Sequence, residues 1–158
     1  MKSSELMTGN IVCCYRPDQQ RKLEKVTPEL LLQLQRQEAG LVSEEDPAYV
    51  RVEPVPLDAD LLRSIGLRKA EEIGGTSTEY FYAANLNQIP QTVIQLFVYA
   101  RPVAGIRNLL KCWCKAANGD GQNSVHLCDV LYLHQLQNAL SLCGIALPVS
   151  LEQVDTAL

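Results

Sequence analysis

The chain has 158 residues, 47% of them hydrophobic and 20% charged, which is enough for one globular domain with a core of its own. This composition excludes a disordered chain, and no apolar run reaches the ~18 residues that a membrane helix needs. A net charge of -4 and a pI near 5.2 exclude the broad basic field of a non-specific nucleic-acid binder. Because the first residues form no export signal, we expect a cytoplasmic protein without a membrane partner and with reduced cysteines.

The first part of the chain predicts a β-hairpin followed by a helix. "GNIVCCYR" and "RKLEKV" have strand composition, and Pro17 and Asp18 between them are typical of a turn. In "TPELLLQLQRQEAG", Thr27 is the expected N-cap and Gly40 the expected end. The glutamines of this helix, Gln37 among them, are predicted to face solvent.

The rest of the chain predicts an edge strand, a short helix, a meander and a final helix. "YVRVEPVPL" alternates but holds two prolines, which favours an edge, and "DADLLRSIGL" is a short helix with Asp58 as N-cap. The strand-like runs "EYFYAANL", "TVIQLFVYA" and "IRNLLKCWC" have short connections, which predict antiparallel pairing. The last helix is expected to run from about Asp129, as N-cap, to Cys143, and to pack across that sheet.

These elements predict an α+β fold in a single domain, residues 1–158. Its antiparallel sheet consists of the amino-terminal hairpin and the carboxy-terminal meander, packed by two or three helices, the last of them C-terminal. We expect the hairpin, helix and edge strand in 1–57, the short helix in 58–67, the meander in 78–128 and the terminal helix in 129–145.

The final helix carries a polar block in an otherwise apolar stretch. Leucines 133, 136 and 140 recur at helical spacing and predict a core stripe. The polar residues between them are predicted to form the outer face, where they would bind a partner: His134, Gln135, Gln137 and Asn138. For His134, neither a triad nor a paired carboxylate supports catalysis, and a hydrogen bond to a neighbouring loop is the alternative.

A basic stripe with one aromatic residue runs along the strand after Gly105. In strand geometry Arg107, Lys111, Trp113 and Lys115 share one face. Such a face can stack a base on Trp113 while the cations bind phosphates, as in binders of single-stranded nucleic acid. The alternatives are a protein partner at Trp113, or an ordinary solvent-exposed strand.

Three cysteines and a histidine flank "NGDGQN" and raise the question of a metal. A hairpin that turns at 119–121 would place Cys112 opposite Cys128 and Cys114 opposite His126. The same cysteines alternate with Lys111, Trp113 and Lys115, which favours an ordinary core face instead. We therefore predict no metal and no cofactor.

Three segments resemble, in the same order, a family of short proteins from gut anaerobes and from their phages and other mobile elements. They are "TGNIV" at 8–12, "VEPVPLDADLLRSIGL" at 52–67 and "VLYLHQLQNALSLCGIAL" at 130–147. The family pattern is G-N-x-V, P-I-P-L before a small helix that ends in G-F, and a closing H-Q-L-Q-N helix. Leu67 departs from it, because an aromatic residue is usual there, and so does the ending "SLCGIAL". The resemblance implies pattern positions at Gly9, Asn10, Pro54, Pro56, Leu57, Leu62, Gly66, His134, Leu136, Gln137 and Asn138.

No phosphate-binding loop, dinucleotide motif, nucleophile elbow or H-E-x-x-H motif occurs in the sequence, which therefore leans away from an enzyme. We predict a non-catalytic interaction or accessory protein of a phage or mobile element, whose partner is a protein. The first alternative is single-stranded nucleic-acid binding, and the second is a small metal- or ligand-binding protein. The sequence leaves the oligomeric state open.

Overall fold

The computed structural model describes residues 1–16, 21–65, 68–70, 80–89, 92–102, 110–117, 124–142 and 149–157. For 59, 68–70, 80–89, 92–102, 110–117 and 124–129 it describes the backbone alone. The predicted turns at 17–18 and 119–121, together with Gly66, Leu67, Arg107 and Cys143, lie outside the described residues.

A small antiparallel sheet lies between the two hydrophobic cores of the described residues. Its strands are β1 (Ile11–Tyr15), β2 (Lys22–Lys25) and β3 (Arg51–Pro54), in the order β2-β1-β3. The predicted hairpin of β1 and β2 is confirmed, and so is the edge position of β3. Pro54 ends β3 because it has no N–H for a further ladder bond.

Helices cover both faces of this sheet, so that β1 is buried on both sides. Residues 11–14 of β1 are at most 1% exposed, which explains the nearly unbroken apolar run "IVCC". Core one lies between the sheet and the later helices and comprises Ile11, Cys13, Val55, Leu57, Leu61, Leu62, Ile65, Val130, Leu133, Leu136, Leu140, Val149 and Val154. Core two lies on the opposite face and comprises Leu6, Val12, Cys14, Val26, Leu30, Leu34, Val50 and Val52.

The first two helices begin where their capping residues predict. Helix α1 (Pro28–Glu38) has Thr27 as N-cap, whose Oγ1 accepts a hydrogen bond from the Leu30 N–H at 3.2 Å. Helix α2 (Ala59–Ser64) is capped by Asp58, whose Oδ1 accepts from the Leu61 N–H at 2.8 Å. Gly40, at φ +72°, follows the end of α1 in the left-handed region, which confirms it as the predicted stop.

Gln37 of α1 does not simply face solvent as predicted. Its carboxamide accepts a hydrogen bond from the Val50 N–H and donates one to the Val50 carbonyl, both at 2.9 Å. A side-chain amide therefore pairs with the chain just before β3, on the side of α1, as a neighbouring strand would.

The second sheet has five strands and confirms the antiparallel meander. Its strands, in spatial order, are β4 (Arg68–Ala70), β5 (Tyr80–Ile89), β6 (Thr92–Pro102), β7 (Leu110–Ala117) and β8 (Ser124–Val130). The sequence did not predict β4, and the strands divide into two sheets instead of one. The α+β class itself is confirmed.

The two carboxy-terminal helices are α3 (Leu133–Leu142) and α4 (Leu151–Ala157). Helix α3 starts at Leu133, four residues after the predicted N-cap Asp129, because Asp129 still belongs to β8. Helix α3 contacts β1 and β8, and its residues Leu133, Leu136 and Leu140 enter core one beside Ile11. Helix α4, not predicted from the sequence, is the C-terminal helix. Among the described residues, no helix has the length and apolar character needed to cross a bilayer.

Candidate functional site

The polar block of α3 (His134, Gln135, Gln137 and Asn138) lies against the amino-terminal segment (residues 1–10) and the start of β1. The chain between β3 and α2 closes the same region, because Pro56 bridges Tyr132 and the Leu133 N–H donates to the Val55 carbonyl at 2.9 Å. All three segments that carry the family pattern therefore meet here.

A β-bulge at Gly9 and Asn10 shapes the amino-terminal segment. Both residues oppose Val26: the Gly9 N–H donates to the Val26 carbonyl at 2.8 Å, and the Val26 N–H donates to the Asn10 carbonyl at 2.7 Å. Gly9 has φ +92°, the left-handed conformation that this kind of bulge places at its first position. The Asn10 N–H closes the preceding turn on the Met7 carbonyl at 3.1 Å. The bulge explains why a glycine and an asparagine stand together before β1.

The side chain of Gln137 bonds the backbone at the start of β1, beyond the point where β3 has ended. Its Oε1 accepts from the Ile11 N–H at 2.9 Å, and its Nε2 donates to the Gly9 carbonyl at 3.4 Å. These are the groups of β1 on the side of β3, beyond the last register pair at Pro54. The carboxamide thus satisfies the start of β1 in place of a strand, which a buried backbone requires.

Asn10 and Asn138 form a side-chain pair that joins the bulge to α3. Asn10 is only 3% exposed; its Nδ2 donates to Asn138 Oδ1 at 2.8 Å, and its Oδ1 accepts from the Met7 N–H at 2.7 Å. Asn138 Nδ2 donates in turn to the Glu5 carbonyl at 3.1 Å. The two amides fix the path of residues 5–10 across α3.

Gln135 replaces Asp129 as the group that satisfies the start of α3. Its Oε1 accepts from the N–H groups of Leu131 and Tyr132, at 2.8 and 3.2 Å. The side chain of a residue in the first turn thus accepts hydrogen bonds from the backbone N–H groups of the two residues that precede the helix.

His134 is buried, so the prediction that it lies on an outer face is wrong. The residue is 3% exposed, and its Nδ1 has no hydrogen-bond partner among the described residues, so the predicted alternative of a bond to a loop is not seen there. Its ring lies 5.9 Å from that of Tyr132, with 12° between the planes. Burial lowers the pKa of the imidazole, the Glu5 carboxylate opposes that shift, and the amino terminus adds to it.

Protein-family models, curated proteins and solved structures gave no match to this chain. The resemblance of the three segments therefore stays a prediction. So does partner binding by the polar block, whose amide groups have hydrogen bonds within the chain.

We expect Gly9→Ala to lower the free energy of unfolding by about 1–2 kcal/mol, the cost of holding a residue with a Cβ in the left-handed region. Apart from its two neighbours in the chain, no atom of the described residues lies within 4 Å of the added Cβ, so we assign the cost to backbone conformation. Denaturant unfolding measures it. Gly40→Ala is the matched control: it carries a similar backbone cost but lies away from the polar block, so only Gly9→Ala should weaken protection of the Ile11 amide from exchange. Equal protection in both variants would contradict a role of the bulge in seating Gln137.

The register of the large sheet places the predicted basic stripe beside further aromatic residues. Trp113 pairs with Tyr99, and Tyr99 pairs with Phe81, which makes one row across three strands. In the neighbouring rows Lys111 pairs with Arg101 and Lys115 with Phe97. Directly opposite residues, and residues two apart on one strand, lie on the same face of a sheet. Arg107 belongs to the predicted stripe but lies outside the described residues.

The predicted opposition of cysteines and histidine is wrong in register. Cys114 pairs with Cys128, Cys112 pairs with Val130, and Lys115 pairs with His126. The register skips Leu127, and this irregularity shifts every partner on one side of it. Among the described residues, no group of three or more potential ligands is placed to hold a metal ion.

Cys13 and Cys14 are free, buried thiols on opposite faces of β1. Burial raises the pKa of the Cys14 thiol to about 12, and the neighbouring Glu24 carboxylate adds to the rise. Cys13 Sγ accepts from Nε and Nη2 of Arg21, at 3.3 and 3.2 Å. Sequence reasoning missed this contact, because two positions that lie eight residues apart give no local signal of it.

Proposed function

We propose that this protein is a non-catalytic binding domain, an interaction or accessory protein, whose contact surface is the face of the large sheet that carries Trp113. The proposed surface comprises Phe81, Phe97, Tyr99, Arg101, Lys111, Trp113 and Lys115. A role with a phage or mobile element rests on the three sequence segments alone, and the cytoplasmic location predicted from the sequence remains part of the proposal.

The row Phe81, Tyr99 and Trp113 is the observation that carries the proposal. Aromatic residues and arginine are the residue types that most often dominate binding energy at protein interfaces. Three aromatic positions on adjacent strands, with Arg101 and Lys111 in the next row, combine both types on one sheet. We leave the polar block of α3 out of the surface, because its amides already hold the amino-terminal segment.

Single-stranded nucleic acid is the second candidate ligand. The specific support is that Arg101, Lys111 and Lys115 stand in the rows on either side of the aromatic row. A sheet that stacks bases on aromatic rings and holds phosphates with flanking cations is a common solution for single strands. The acidic net charge of -4 limits such a site to local cations, which is why a protein partner comes first.

Trp113 is the only tryptophan in the chain, so its fluorescence reports directly on the proposed surface. We would titrate the protein with short single-stranded DNA and RNA at low and at higher salt. Saturable quenching that weakens with salt and with Lys111→Ala plus Lys115→Ala, but not with the control pair Lys22→Ala plus Lys25→Ala on β2, would promote the nucleic-acid candidate to first place.

A flat titration would leave the protein partner, which needs its own test. A photo-crosslinking residue at Tyr99 should trap one discrete partner in cells of the native host, and Trp113→Ala should abolish that product. The same crosslinker at Leu142, which is 82% exposed on α3, is the control. A flat titration together with identical crosslinking from both positions would overturn the proposal.

A further inference from the structure

His134 sits where α3 holds the amino-terminal segment. Asn138 and Gln137 follow it by four and three positions, which places all three on neighbouring parts of one helix face. Those two side chains make the bonds to the segment and to β1, through Glu5, Gly9, Asn10 and Ile11. A buried titratable group therefore lies on the helix face whose side chains attach residues 5–10 to α3.

The site suits the neutral imidazole only. Nδ1 is buried and has no partner among the described residues, so the imidazolium, which has a proton on both ring nitrogens, would hold a buried N–H with no acceptor there. The charged groups that act on the ring are the Glu5 carboxylate, which favours the imidazolium, and the amino terminus, which disfavours it. Helix α3 itself carries no carboxylate that could pair with the new charge.

The attachment of the segment to α3 is weaker than the attachment of α3 to core one. On its other side the segment is held by Leu6 in core two and by the bonds of Ser3 to Glu38 of α1. A hydrogen bond within the protein replaces a bond to water and so contributes less net free energy than the full burial of a leucine side chain, and α3 has three such leucines in core one. Leu133, Leu136 and Leu140 are fully buried there. An imidazolium at this position needs water, and separating the segment from α3 admits water at a lower free-energy cost than removing α3 from core one. We propose that protonation of His134 detaches the amino-terminal segment from α3.

The direction with pH follows from linkage. In the attached state the pKa of His134 is lowered, and in the detached state it returns to about 6.5. The detached state then binds more protons, so detachment grows as pH falls below about 6.5 and levels off below the lowered pKa. Between these limits, the opening equilibrium constant should rise up to tenfold per pH unit.

Amide exchange at two positions tests this. The Met7 N–H bonds to Asn10 Oδ1 and the Ile11 N–H to Gln137 Oε1, so both should lose protection, after correction for the intrinsic rate, as pH falls from 7.5 to 5. The Leu62 N–H, bonded to the Asp58 carbonyl in α2, should keep its protection over the same range and so exclude global unfolding.

Variants of the two histidines show which of them causes the pH dependence of amide protection. The chain has only His126 and His134. His134→Leu should abolish the pH dependence at Met7 and Ile11, while His126→Gln, the matched control, should preserve it. A pH-independent protection of these two amides in the wild type would overturn the proposal even if His134→Leu fails to fold, and so would an unchanged profile in a folded His134→Leu.

Discussion

Leu136→Ala is expected to lower the free energy of unfolding by about 2–5 kcal/mol, the usual range for removing a buried leucine side chain. Leu136 is fully buried in core one, between α3 and the small sheet. The loss combines the transfer energy of the removed atoms with the cavity that they leave. Since small domains have about 5–15 kcal/mol in total, the variant should unfold at a clearly lower denaturant concentration.

Leu142→Ala is the matched control on the same helix. Leu142 is 82% exposed, so the same chemical change should alter the free energy of unfolding by less than about 0.5 kcal/mol. The comparison separates burial from helix propensity, because both substitutions place alanine in α3. Equal effects of the two would contradict the position of α3 over core one.

Asn10→Ala is expected to lower the free energy of unfolding by about 1–3 kcal/mol, because Asn10 is 3% exposed and its side chain bonds both the Met7 N–H and Asn138 Oδ1. Asn138→Ala should cost less, since that residue is half-buried and water can replace part of its bonding. Denaturant unfolding of each variant gives the two values.

The double variant decides whether the two amides act together. Their coupling free energy should lie at about 0.5–3 kcal/mol, as for residues in one hydrogen-bond network, so the double variant should lose less than the sum of the single losses. Asn10→Ala with Leu142→Ala provides a pair without contact, which should be additive within about 0.5 kcal/mol. Additivity of Asn10→Ala and Asn138→Ala would contradict the bridge between the bulge and α3.

The features that were predicted correctly from the sequence are set by residues close together in the chain. Thr27 and Asp58 cap helices that begin one residue later, so local pattern was enough to find both starts. Gly40 marked the end of α1 for the same reason. The short strand β4 and the short helix α4 were missed, because three and seven residues give too little periodicity to be distinguished from a loop.

The candidate site was harder, because its contacts cross more than a hundred residues of sequence. Helical spacing located the polar face of α3 but could not say what covers it, and the cover is the amino-terminal segment. The start of α3 was misplaced since a glutamine inside the helix, and not the preceding Asp129, satisfies the free donors. The skipped residue Leu127 in β8 is equally invisible to alternation, which assumes an unbroken register.

The two glutamines beside the small sheet also bear on whether a strand of a second molecule can pair there. Gln37 and Gln137 each offer one carboxamide where a neighbouring strand would offer a peptide group, at Val50 and at Ile11. A carboxamide matches the donor and acceptor of a peptide but carries no chain onward, so it stops a second molecule from adding a strand there. Proteins often protect such edges with charged side chains, whereas here the protecting groups are neutral carboxamides, whose hydrogen bonds do not depend on salt.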